Sequence, residues 1–307
     1  MARPEVVLLL AVAVLAIFQT TSCARTYETP PRATTISFPP SNKFVCSTDP
    51  NVPDTPAPEF VCSVDMTNGK PTGLLILSND IDVSSARYQW RTPIQLWKKN
   101  SRYIASFNAF YVVNFNRDIE FTQRPLFSGG GLAFAITPDT SVVGTGQETF
   151  GLFPINEQTG ASLRGAKTKT VAVEMDLSRI DDKGFDPLAP HIGLDINSMK
   201  SVTTKSLGDP NKVIDVKYGV WVEYDALKMT LKVSLHKVKD TQTPMRDRAS
   251  LAISYTGLDL AKEVKEFSYV GFGSRVPETP NGVYVIYDFK FSTKWVLGSK
   301  VKMRFSI

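Results

Sequence analysis

In the segment Met229-Thr-Leu-Lys-Val-Ser-Leu-His236, Met229, Leu231, Val233 and Leu235 alternate with polar residues, a period of two that fits a strand and defeats a helix. The odd positions of Val171-Ala-Val-Glu-Met-Asp-Leu177 are apolar in the same way. Both read as half-buried strands. Tyr103 to Phe115, Gly131 to Ile136, Gly219 to Tyr224, Phe267 to Phe272 and Gly282 to Phe291 add further short strands, with Gly, Pro, Asn and Asp between them. Helical periodicity is confined to one turn around Leu260 to Val264. Many short strands without alternating helices predict an all-β fold of the antiparallel sandwich type, and the lack of any repeat of about 20 to 50 residues excludes a propeller or solenoid.

Composition narrows the class. With 42% hydrophobic and 21% charged residues in 307, the chain is neither collagen-like nor disordered nor a multi-span membrane protein. Its net charge of +5 is too small and too scattered for nucleic acid, although polyanionic cell-wall material stays open as a partner. Val6 to Phe18 is an unbroken apolar run beside Arg3, and small residues follow as far as Ser22-Cys23-Ala24. Residues 1–24 therefore read as a secretory signal peptide, too short an apolar run to span a bilayer, with a mature chain starting at Arg25. Cleavage removes Cys23 and leaves Cys46 and Cys62 in an oxidising compartment, where one disulfide is the simplest outcome. Residues 25–70 form a segment rich in Pro, Ser and Thr. Phe-Val-Cys-Ser occurs at 44–47 and again at 60–63, on either side of a proline-rich loop. That duplication predicts a long-looped hairpin clipped by Cys46 and Cys62; chance repetition is the alternative reading. Residues 71–295 carry the sandwich, and 296–307 form a basic tail with Lys300, Lys302 and Arg304.

The chemistry concentrates in one place. Glu174 and Asp176 lie two apart and project from one side of their strand, and the loop that follows holds Asp181, Asp182 and Asp186 before His191. Carboxylates with one imidazole suit a six-coordinate ion such as Mn²⁺, and an oxygen-only subset suits Ca²⁺. The same residues would also make an acidic surface loop with a structural histidine, and spacing alone does not separate the two.

Val171-Ala-Val-Glu-Met-Asp176, Asp186-Pro and His191-Ile-Gly-Leu-Asp-Ile-Asn-Ser198 resemble the metal-binding stretch of the legume lectin family. Thr92-Pro-Ile-Gln-Leu-Trp97, Gly131-Leu-Ala-Phe134, Gly151-Leu-Phe153, Val220-Trp221 and Val270-Gly-Phe272 agree with it in order, so the resemblance runs from about Ile36 to Phe291. It implies a jelly-roll sandwich, glycan or glycoprotein partners, and bound Ca²⁺ and Mn²⁺. It also assigns Glu174, Asp176, Asp186 and His191 to the transition-metal site, with Ser201 acting through a water. Asp176 and Asp186 would bridge to Ca²⁺. Ile180 stands where the family has an asparagine ligand, which leaves Asp181 or Asp182 to supply that oxygen.

The sugar site departs further from the family. Gly130 stands where members carry the aspartate that accepts hydrogen bonds from sugar hydroxyls, and Glu148 stands for the glycine of the next loop. Weakened or altered monosaccharide specificity is the expectation, with Gly130, Gly131, Glu148, Asp181 and Arg275 as the family-equivalent or shifted contacts. The resemblance further implies a secreted, apoplastic or vacuolar protein without a membrane span, and a homodimer through the back sheet. No kinase domain follows the lectin region, which points to a soluble form.

Two rival functions compete with lectin activity on such a fold. Jelly-roll glycosidases carry Glu-X-Asp-X-Glu, but the third position here is Ser178, and no GxSxG or HExxH motif occurs, so no enzyme is expected. A degenerate lectin module for protein interaction, defence or apolar ligands is the alternative. His236 reads as a solvated strand residue, and Trp90, Trp97 and Trp221 as core or sheet-packing residues.

Overall fold

The computed structural model describes residues 29–37, 44–48, 63–67, 70–76, 84–116, 130–140, 150–153, 168–177, 190–209, 212–213, 216–239, 241–276 and 283–298. Internal packing divides the chain into Met1–Pro30 and Pro31–Ile307, and the elements that follow belong to the second unit. In chain order the strands are β1 (Thr35–Ser37), β2 (Phe44–Thr48), β3 (Ser63–Thr67), β4 (Lys70–Ile76), β5 (Ser84–Trp90), β6 (Ile94–Gln95), β7 (Tyr103–Asn116) and β8 (Gly131–Thr137). They continue as β9 (Val171–Asp176), β10 (His191–Ile196), β11 (Thr203–Ser206), β12 (Val216–Asp225), β13 (Thr230–Lys239), β14 (Ser250–Thr256), β15 (Phe267–Val276) and β16 (Val283–Leu297). A single helical turn, α1 (Leu260–Glu263), falls where the sequence predicts it.

Among the described residues these strands make two eight-stranded sheets, with every pairing between named strands antiparallel. The back sheet runs β14-β13-β12-β7-β16-β4-β3 with β1 beside β16; the front sheet runs β11-β10-β9-β8-β15-β5-β2 with β6 beside β15. This is the expected all-β sandwich. Its core follows from alternation: Phe107, Ala109, Tyr111, Val113 and Phe115 of β7 and Tyr218, Val220, Val222 and Tyr224 of β12 turn inward. They meet Leu132, Phe134 and Ile136 of β8 and Val171, Val173 and Met175 of β9. Phe134 sits among four aromatic rings, with centroids 6.0 Å from both Tyr111 and Phe272, 6.1 Å from Phe289 and 6.4 Å from Phe291.

Several expectations change in the fold. Strand β9 is buried on both faces, not half-buried, because β8 and β10 flank it while Phe150, Leu152, Phe153 and Met199 cover its outer side against Ala133, Ala135 and Ala172. Glu174 and Asp176 are therefore interior groups. Met229 leaves its strand: it lies in the turn before Thr230 at φ 49° and is 42% exposed. The hairpin expected at the two Phe-Val-Cys-Ser repeats falls mostly outside the described residues, since 49–62 are not among them and only Ser63 of the second repeat is. Strand β2, which contains Cys46, pairs with β5 in the front sheet, whereas β3 pairs with β4 in the back sheet. Cys62, the signal peptide and the basic tail beyond 298 lie outside the described residues. Strands β1, β2 and β3 from the Pro-rich segment take part in the sheets, as a resemblance starting near Ile36 requires. No helix among the described residues is long and apolar enough to cross a membrane.

Candidate functional site

Front-sheet register collects candidate residues from four distant places in the chain. Arg275 on β15 is opposite Gly131 on β8, Gly131 is opposite Asp176 on β9, and Asp176 is opposite His191 on β10. The adjacent row on the same face runs Gly273, Ala133, Glu174, Gly193. The small residues of these rows leave space over the sheet. A Cβ on Gly273 would run into the Phe150 carbonyl and approach Leu152 Cγ to 2.8 Å, so the segment 150–153 lies against this face only because glycine is there. Phe150 itself adopts φ 48°, a left-handed conformation that a phenylalanine holds at some cost and that the packing of its buried ring offsets.

Glu174 and His191 are 2% and 1% exposed, and His191 Nε2 lies 3.2 Å from Glu174 Oε1. The Ser201 hydroxyl lies 2.9 Å from Glu174 Oε1 and 2.8 Å from Asp195 Oδ1, so its single proton is shared between two buried carboxylates. Asp176, 8% exposed, makes itself felt further in: burial first, and then the Asp176 charge, push the Tyr284 hydroxyl well above the ordinary phenol range. Asp195 is a partner to which the sequence motifs give no role. The signal was available, since His191, Gly193 and Asp195 alternate on one strand face once β10 is recognised as a strand. At the other side of the sheet Arg87 is buried, donating from Nη2 to the Asp139 carbonyl at 3.0 Å, and desolvation holds its guanidinium down to about 10 against the pull of Asp139.

Gly193 is the cradle of the cluster. A Cβ there would overlap the Ser201 hydroxyl and come within 2.6 Å of Glu174 Oε1. Gly193→Ala is expected to separate Ser201 from Glu174 and to destabilise the fold by about 1–3 kcal/mol, as overpacking of a tight interior does. Chemical denaturation checks this, and adding Ser201→Ala should recover part of the loss by removing the oxygen that the new methyl meets.

The donor chemistry packed against Gly193, the Glu174 carboxylate, the His191 imidazole and the Ser201 hydroxyl, with Asp176 opposite His191 on the sheet, is of the kind that takes a hard divalent cation. Among the described residues, no three His, Cys, Asp or Glu side chains form a group able to hold an ion by themselves. Asp186, Asp181 and Glu148 lie outside the described residues, and Arg275 is described by its backbone register alone. Gly130 is buried at φ 90°, and its carbonyl accepts the Leu177 N–H at 3.0 Å. His236 is not simply solvated: it is half-buried, and its Nδ1 accepts the Met245 N–H at 2.8 Å. Trp97 packs on the core and donates to the Val264 carbonyl, whereas Trp221 faces outward from the back sheet and stacks on Phe110 at 4.9 Å.

The Legume lectin domain family model matches residues 59–302. The chain belongs to the legume lectin family. Among curated relatives of this lectin domain, the L-type lectin-domain containing receptor kinase VIII.1 of Arabidopsis thaliana is 30% identical over 208 residues, which is 65% of this chain and 26% of the kinase. Anti-H(O) lectin 2 of Cytisophyllum sessilifolium is 31% identical over 189 residues, 61% of this chain and 69% of that lectin. The chain thus spans about a quarter of the first relative and over two thirds of the second. Among solved structures, lectin I-B4 from Griffonia simplicifolia in its metal-free form superposes with a TM-score of 0.65 at 22% identity, covering 85% of this chain and 99% of that one. The lectin jelly roll is the shared fold.

Proposed function

We propose that this chain is a secreted carbohydrate-binding lectin whose glycan site lies at the Gly130 end of the front sheet and is supported by Ca²⁺ and Mn²⁺. The observation that carries the reading is the cross-strand row of Gly131, Asp176 and His191, with Glu174 one row behind, in a chain of the legume lectin family. Glu174, Asp176, Asp186 and His191 would hold the ions, with Ser201 and Asp181 in support. The ions would supply electrostatic anchorage for the binding loops. Asp195 joins this set as an acceptor for Ser201 that keeps the hydroxyl oriented.

Specificity is the second part of the proposal. Gly130 offers no side-chain acceptor, so monosaccharides should bind weakly, and larger or charged glycans would reach the loops near Glu148 and Arg275. Gly130→Asp tests this directly. At φ 90° an aspartate is strained, which should lower stability by about 1–2 kcal/mol. Against that cost, mannose or galactose binding should emerge from undetectable to the millimolar range on a titration calorimeter. Glu148→Gly belongs in the same series. Ready inhibition of the natural protein by millimolar monosaccharide would sink the idea that Gly130 is a defect. A glycan array that stays blank, with and without chelator, would instead favour the degenerate module for protein interaction or defence.

A further inference from the structure

On the outer face of the back sheet, away from the loop site, two adjoining hollows of about 440 Å³ and about 290 Å³ share Asn108 and Glu223 in their lining. They form one trough across β13, β12, β7 and β16. The larger hollow contains Lys232 and Lys294, and the floor of the smaller is the stacked pair Phe110 and Trp221. The acids that face the trough are already neutralised: Glu223 meets Arg246 at 2.6 Å, and Asp225 meets Lys228 at 3.2 Å. Lys232 and Lys294 are exposed and have no ion-pair or hydrogen-bond partner among the described residues. The Asn108 amide, exposed where the two hollows join, likewise has no hydrogen-bond partner there.

We propose that this trough is a second binding site, one that takes an acidic oligosaccharide. Its carboxylates meet Lys232 and Lys294, its hydroxyls meet the Asn108 amide, and a sugar ring packs on the half-buried Phe110–Trp221 floor. Charge complementarity selects an anion, because both uncompensated groups in the lining are ammonium ions. The aromatic floor and the free amide select a sugar over an acidic peptide. Among the described residues β7 and β12 are paired on both sides along the trough and β16 is paired with β7 throughout, which leaves an extended peptide only the three-residue edge of β1 and the end of β16 to join. The site stands apart from Glu174 and His191, and it requires neither metal nor the loops near Gly130.

The test titrates the full chain with an oligogalacturonate, with a neutral glucan oligomer of equal length and with a polyglutamate peptide of equal charge. Oligogalacturonate alone should bind. Its affinity should fall as salt shortens the screening length from about 10 Å at 0.1 M to about 3 Å at 1 M. Lys232→Glu with Lys294→Glu should weaken binding about tenfold or more, since two attractions become repulsions. Asn108→Trp, which fills the shared floor without changing charge, should weaken it comparably, while chelator should leave it unchanged. Equal binding of polyglutamate or of the neutral oligomer, or full binding by Asn108→Trp, would overturn the assignment. So would sedimentation showing that a second copy occupies this face and that Asn108→Trp dissociates it.

Discussion

Replacing Phe134 by alanine should lower the unfolding free energy by about 3–5 kcal/mol, the range for deleting a fully buried ring from a core that cannot collapse around the void. Phe134 is 1% exposed and touches rings from both sheets: Tyr111, Phe289 and Phe291 from the back sheet, and Phe272 from its own. Removing it takes away the lost transfer energy and the edge-to-face contact with Phe272 together. Denaturant titration followed by tryptophan fluorescence reads the change. Phe134→Leu should cost far less, because most of the volume returns. A loss below about 1 kcal/mol for the alanine variant would mean that the two sheets can close over the space, contrary to the packing of four rings around it.

Removal of divalent cations should produce the next largest effect if Glu174, Asp176, Asp186 and His191 hold them as proposed. A ligand that binds only the native state at about a thousand times its Kd contributes about 4 kcal/mol. For a domain of this size that corresponds to roughly 10 °C in Tm. Calorimetry with and without chelator, paired with elemental analysis of protein purified without chelator, measures both halves of the claim. The same treatment should abolish binding at the Gly130 end. His191→Ala should reproduce the lowered Tm and make it insensitive to chelator. Absence of Ca and Mn in the purified protein, with a Tm that chelator does not move, would remove the ions from the proposal and leave the Glu174–His191–Ser201 cluster as a purely structural polar network.

Alternation by itself determined the fold class and much of the core. Residues spaced two apart in 171–177 and 231–235 had to face one side of a sheet, and with almost no helical periodicity only strands packed on strands could bury them. The family motifs carried the further step to the lectin jelly roll and to Glu174, Asp176 and His191, because those residue types recur in a fixed order along the chain. Local pattern had no means of showing which strand lies beside which. Only pairing across the front sheet puts Arg275, Gly131, Asp176 and His191 in one row, only burial on both faces makes Glu174 an interior group, and only the packing of two sheets sends β2 to the front and β3 to the back. Asp195, the Gly193 cradle and the trough between Lys232 and Lys294 belong to the same category. Each arises from side chains brought together by hydrogen-bonded neighbours far away in sequence, and the energy that selects those neighbours comes from burying whole faces of the sheets, a quantity that no short stretch of the chain contains.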